Sequence, residues 1–62
     1  MFRIYLNINQ EQYEELFYHL DMNGYDREMW VTDSCLEVSV DKIYEVKTIL
    51  KDRNIEYEEE LI

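Results

Sequence analysis

Of the side chains whose unperturbed pKa lies nearest neutrality and which most often act as base or nucleophile, this 62-residue chain has one histidine, His19, and one cysteine, Cys35. A nucleophilic thiol needs an activating base within hydrogen-bond reach. No such base lies near Cys35 in sequence. The alternation around Cys35 predicts an outward strand position, and His19 falls in a helical stretch expected on the other side of a sheet. For His19 the stronger expectation is an i,i+4 ion pair with Glu15. Asp21, Asn23 and Asp26 gather oxygen atoms around Gly24 as a calcium loop would. The glycine offset is wrong for an EF-hand, however, and the bidentate glutamate is missing at the required distance. A helix-ending turn accounts for the same residues. With a single glycine in the chain, no phosphate-cradling loop is available. These readings point away from an enzyme, a metal or a cofactor.

Recognition chemistry is better represented. Glu56, Glu58 and Glu60 recur at every second position, a pitch of roughly 6.6–6.8 Å along a strand. That is about twice the axial rise per nucleotide on one DNA strand, so a row of carboxylates at this pitch can imitate a row of phosphates. Glu11, Glu14 and Glu15 add a second acidic patch. Tyr5 and Trp30, accompanied by Glu28 and Glu37, are expected on an exposed sheet face, where a bare tryptophan beside a tyrosine suits an interaction hot spot. Aromatic residues on such a sheet also suggest RNA stacking, but the basic, glycine-aromatic run of RNA-recognition sheets is absent and the local charge is wrong. The simpler reading of the glutamate row is an edge strand guarded by charge against aggregation.

The elements that must hold these residues follow from periodicity. Phe2, Ile4, Leu6 and Ile8 alternate with polar or amphipathic residues, the pattern of a strand with one buried face. Asn9 then sits at a helix N-cap with Gln12 as its capping-box partner and Ile8 placed to staple against Tyr13. Tyr13, Leu16, Phe17 and Leu20 form the helix's buried stripe, and Asn23-Gly24 ends it. Tyr25–Thr32 reads as a second strand with Met29 and Val31 inward and Glu28, Trp30 and Thr32 outward. Asp33-Ser34 is a tight turn into a third strand, with Leu36, Val38 and Val40 inward and Cys35, Glu37 and Ser39 outward. Asp41 is placed to cap a second helix carrying Ile43, Val46, Ile49 and Leu50 on its buried stripe, and Asn54 stops it. The last run, from Ile55, is a strand with Ile55, Tyr57 and Leu61 inward and Glu56, Glu58 and Glu60 outward. Glu59 breaks the inner alternation and reads as fraying. The order β-α-β-β-α-β predicts one α+β domain over residues 1–62 of ferredoxin-like plan. Its four-stranded antiparallel sheet is expected in the order 4-1-3-2, with both helices on one face.

Charge then narrows the partner. Fifteen acidic against six basic residues give a formal net charge of −9, which makes direct binding to DNA, RNA or an anionic membrane repulsive. A hydrophobic fraction of 47% argues against disorder. One cysteine forms no internal disulfide, and the N-terminus lacks the apolar core of a signal peptide, so the chain reads as whole and cytoplasmic. In size and charge it resembles phage-encoded inhibitors of bacterial defence, such as anti-CRISPR and anti-restriction DNA mimics, a resemblance of composition that covers no motif. It implies an acidic protein-binding inhibitor that occupies a basic, nucleic-acid-binding groove of another protein. The alternative is a structural or regulatory module that forms a homodimer through its open sheet face or edge strands.

Overall fold

The computed structural model describes Met1–Ile62. Phe2–Asn7 forms β1, Gln10–Met22 α1, Trp30–Thr32 β2, Cys35–Val38 β3, Ile43–Asp52 α2 and Glu56–Leu61 β4, and a 3-10 turn over Arg27–Met29 leads into β2. The strands make one antiparallel sheet in the order β2-β3-β1-β4, the expected order read from the other edge.

Local chemistry explains where the helices begin and end. The Asn9 side chain accepts from the Gln12 N–H at 2.9 Å, and the Gln12 side chain accepts from the Asn9 N–H at 3.0 Å, completing the capping box of α1. At its other end Tyr25 N–H bonds Leu20 O at 3.0 Å and Gly24 N–H bonds Asp21 O at 3.1 Å, the paired bonds of a Schellman motif. Gly24 supplies the required positive φ of 85°. The end of α2 repeats the device: Ile55 N–H bonds Leu50 O and Asn54 N–H bonds Lys51 O, both at 3.0 Å. There Asn54, at φ 56°, takes the left-handed position that only glycine and, less readily, asparagine or aspartate adopt. Both helices thus turn sharply back to the sheet.

Ile4 and Leu6 of β1 and Leu36 and Val38 of β3 pack with Leu16 and Leu20 of α1 and Ile43, Val46 and Leu50 of α2 in one cluster. One sheet face therefore carries both helices, and the other is open. Removing one fully enclosed side chain such as Ile4 or Leu36 costs about 2–5 kcal/mol, a large share of the few kcal/mol that hold a domain of this length.

Five expectations are corrected. The second strand does not span Tyr25–Thr32: Asp26 accepts from the Glu28 N–H at 3.2 Å and starts the 3-10 turn, leaving three residues for β2. Within β2 the register shifts, because Trp30 lies opposite Leu36 while Thr32 lies opposite Cys35. Two steps on β2 match one on β3, so Val31 is the extra residue of a bulge, and Trp30 turns to the helix face while Thr32 stays on the open face. Asp41 does not cap α2. The N-cap position is Lys42, without a side-chain cap, and a hydrogen bond from Ser39, followed by one from its own backbone, holds the Asp41 carboxyl below its ordinary range. β3 ends at Val38, so Val40 is an exposed turn residue rather than an inward strand residue. Glu59 marks no fraying, since β4 pairs with β1 through Leu61. Glu59 lies opposite Ile4 at the margin of the helix layer, where Lys47 of α2 meets it at 2.6 Å.

Candidate functional site

The acidic part of the open face is built across three strands, β3, β1 and β4. On β1, Arg3, Tyr5 and Asn7 alternate with the buried Ile4 and Leu6, so all three point away from the helices. The register places Arg3 between Glu37 of β3 and Glu60 of β4, Tyr5 between Cys35 and Glu58, and Asn7 beside Glu56. A central strand bearing one arginine and one tyrosine is thus flanked by carboxylates on both sides.

Only part of that charge is compensated. Arg3 Nη2 donates to Glu37 Oε1 at 2.6 Å, with both side chains about one-third exposed at 34% and 33%. This bond, with a further contribution from Tyr5, holds the Arg3 guanidinium firmly protonated. The Tyr5 hydroxyl reaches diagonally across the sheet and donates to Glu60 Oε1 at 3.2 Å. None of the chain's ion pairs involves Glu56, Glu58 or Glu60. Rigid strand geometry and exposed, uncompensated carboxylates therefore coincide along β4, and Tyr5, 41% exposed, is the aromatic surface beside them.

The remaining expected site residues lie elsewhere. Trp30 is not on this face: its ring packs edge-on against Tyr13 at 5.0 Å between centroids and beside Phe17 at 6.0 Å, with the Arg27 guanidinium 5.6 Å from the Phe17 ring centre. Trp30 joins β2 to α1 and is an element of the fold. Glu28 sits in the 3-10 turn, where it shares a shallow cleft at the end of β3 with Tyr25, Glu37 and Lys42. Glu11, Glu14 and Glu15 are exposed on α1, whose Leu16 and Leu20 face the sheet, so they cover the side of the molecule away from the open face. The acidic surface is divided in two, which the spacing of charges along the chain does not reveal.

His19 and Cys35 occupy different layers. Cys35 belongs to the open face but is 93% covered by its neighbours, and burial pushes its thiol up. His19 does not form the expected pair with Glu15. Arg53 from the end of α2 intervenes, donating from Nη2 to His19 Nδ1 at 2.8 Å while its Nη1 lies 3.9 Å from Glu15 Oε2. Because a guanidinium only donates, Nδ1 accepts. Arg53 thereby ties α1 to α2, and only its placement in the fold identifies it. Asn23 closes α1 through a side-chain bond to His19 O at 2.8 Å, and Asp26 caps the 3-10 turn, so both have structural work that needs no ion. No helix is long and apolar enough to cross a membrane.

Comparison with protein-family models, with curated proteins and with solved structures finds no match to this chain.

Proposed function

We infer that this chain is a small acidic protein-binding inhibitor of ferredoxin-like plan that presents its open face and β4 to a basic, nucleic-acid-binding groove of another protein. The observation that carries the reading is the row of Glu56, Glu58 and Glu60, held on one face of a continuous strand and outside every ion pair of the chain. A carboxylate outside every ion pair meets a cation without breaking a salt bridge of the fold, and the one internal bond on the row, from the Tyr5 hydroxyl to Glu60, is exposed. A groove evolved to grip phosphates supplies such cations at matching intervals. Tyr5 adds apolar contact at the centre of the face, and Glu37, already held by Arg3, contributes less. The mechanism is steric and electrostatic competition, with no bond made or broken, as in inhibitors of the anti-CRISPR or anti-restriction type. The compartment in this reading is the cytoplasm, where such targets and a free thiol are both at home.

Capture of the partner from the native host tests this directly, followed by competition with nucleic acid. The expected result is a nucleic-acid-binding protein whose binding to this chain falls steeply as salt rises from low to physiological strength and is displaced by DNA or RNA. The Glu56→Gln, Glu58→Gln, Glu60→Gln triple variant should fold and bind more weakly. Affinity independent of salt, or simultaneous binding of nucleic acid, refutes the reading.

One observation favours a second reading, self-association. Met1, Leu61 and Ile62 are each at least half exposed and gather at one end of the sheet, where Phe2 lies opposite Leu61 and Ile62 N–H bonds Met1 O. Sedimentation at micromolar concentration separates the two, since a dimer strengthened by salt is the outcome this second reading requires.

A further inference from the structure

β4 is the long free edge of the sheet. It follows β1 from Asn7–Glu56 to Phe2–Leu61 without a register shift, and no strand pairs with its other side. The opposite edge is protected: β2 has three residues, a bulge and a 3-10 turn before it, all of which discourage strand addition.

The ladder fixes which backbone groups β4 offers. Ile62 donates its N–H to Met1 O at 3.0 Å, and in an antiparallel ladder alternate residues turn their N–H and C=O toward the same neighbour. Glu60, Glu58 and Glu56 therefore bond β1, while Tyr57, Glu59 and Leu61 turn theirs outward. The Leu6 N–H, which donates away from β4 to Ser34 O at 2.8 Å, obeys the same alternation. Above these outward groups the open face carries Glu56, Glu58 and Glu60. Below them Glu59 is already neutralised by Lys47.

A second copy does not suit this edge. Two copies joined antiparallel through β4 are related by a two-fold normal to the sheet, so residues that meet across the new ladder come from the same face. Centring the axis on Glu58 sets Glu58 against Glu58 and Glu56 against Glu60. Centring it on Glu59 sets Glu58 against Glu60, and centring it on Tyr57 sets Glu56 against Glu58. Every such register opposes like charges at the closest cross-strand distance.

We propose that the outer edge of β4 takes an antiparallel extended segment of the partner as a fifth strand, with Lys or Arg at alternate positions beside Glu56, Glu58 and Glu60. Free backbone groups of Tyr57, Glu59 and Leu61 hold the segment, and the glutamates select its charge pattern. This rests on the reading of a basic partner and adds the mode of capture. It also fixes the hydrogen bonding of the guest strand: residues facing the glutamates sit at non-hydrogen-bonded pairs, so its cationic residues point their N–H away from β4 and the residues between them point theirs toward it.

Three synthetic peptides test this with the intact chain at low salt: one alternating Lys and Thr, one N-methylated at every Thr, and one N-methylated at every Lys. The unmodified and Lys-methylated peptides should bind and slow amide hydrogen exchange at Tyr57, Glu59 and Leu61 by at least about tenfold. Methylation at Thr should weaken binding by at least about tenfold, since each blocked N–H loses a ladder bond. Binding without protection of those three amides, or equal binding by the two methylated peptides, overturns the fifth-strand proposal while leaving a basic partner in place. No binding by the unmodified peptide overturns it as well. Loss of the basic-partner reading shows separately, as a host partner whose affinity ignores salt.

Discussion

Trp30→Ala separates a binding residue from a structural one. A tryptophan on the open face could be truncated at little cost to stability, whereas Trp30 is partly buried against the core and meets Tyr13 edge-on at 5.0 Å. Truncating a fully buried large aromatic residue costs about 3–5 kcal/mol. Partial exposure reduces that to roughly 2 kcal/mol, and the lost aromatic contacts restore about 0.5–1.5 kcal/mol, giving about 2–4 kcal/mol. A domain of 62 residues has on the order of 3–9 kcal/mol in all. Urea unfolding followed by far-ultraviolet circular dichroism should therefore show a midpoint lower by about 2–4 M, taking a slope near 1 kcal/mol per M for so small a domain. Trp30→Phe, which keeps a ring against Tyr13, should recover most of the loss. Tyr5→Ala is the matching control, since Tyr5 stands on the open face and its hydroxyl bond to Glu60 is exposed; its cost should stay within about 1 kcal/mol while partner binding weakens. A Trp30→Ala midpoint within about 0.5 M of the parent, about 0.5 kcal/mol at that slope and the range of an ordinary surface change, refutes the helix-face placement of Trp30.

The left-handed turn after α2 should tolerate Asn54→Gly within about 1 kcal/mol, whereas Asn54→Val, which forces a β-branched residue to positive φ, should lose about 1–2 kcal/mol; equal stabilities for the two in thermal melts would contradict the turn. Alkaline pH should destabilise the fold. Burial pushes up the Cys35 thiol and the Tyr25 phenol, and the bond from Lys47 to Glu59 pushes up the Lys47 ammonium. All three groups hold their protons more tightly folded than unfolded, so their stabilisation is complete below the unfolded values and is lost as pH rises through the folded ones. Urea midpoints should be level from neutrality to about pH 8.5 and fall beyond it, with Cys35→Ala removing the first part of the decline. A level midpoint up to about pH 10.5 would refute it.

The net charge of −9 is spread so that the fold is spared its worst effects. Where carboxylates approach the helix layer or the centre of the sheet they have cations, Lys47 for Glu59 and Arg3 for Glu37. Where they stand at the rim of β4 they have none. Charge along that free edge also guards it against edge-to-edge aggregation.

The chain by itself determined whatever depends on neighbours a few residues away. The capping box of Asn9 and Gln12, the turn at Asn23-Gly24, the stop at Asn54 and the alternation of β1 are all set by bonds or faces within one element, and they suffice to order the four strands once the crossovers are taken as right-handed. The placement of Tyr5, Glu37, Glu56, Glu58 and Glu60 on one face was legible for the same reason. Tertiary structure decided what depends on residues far apart. Trp30 turns to the helices because Tyr13 and Phe17 of α1 bury its ring, and the bulge at Val31 accommodates the turn at the cost of the simple alternation. His19 meets Arg53 rather than Glu15 because the end of α2 arrives between them. Glu59 belongs to a regular strand because Lys47, on another element, supplies its charge. The split of the acidic surface into a sheet side and a helix side has the same origin: periodicity states which face of an element is polar, and only packing states which way that face looks.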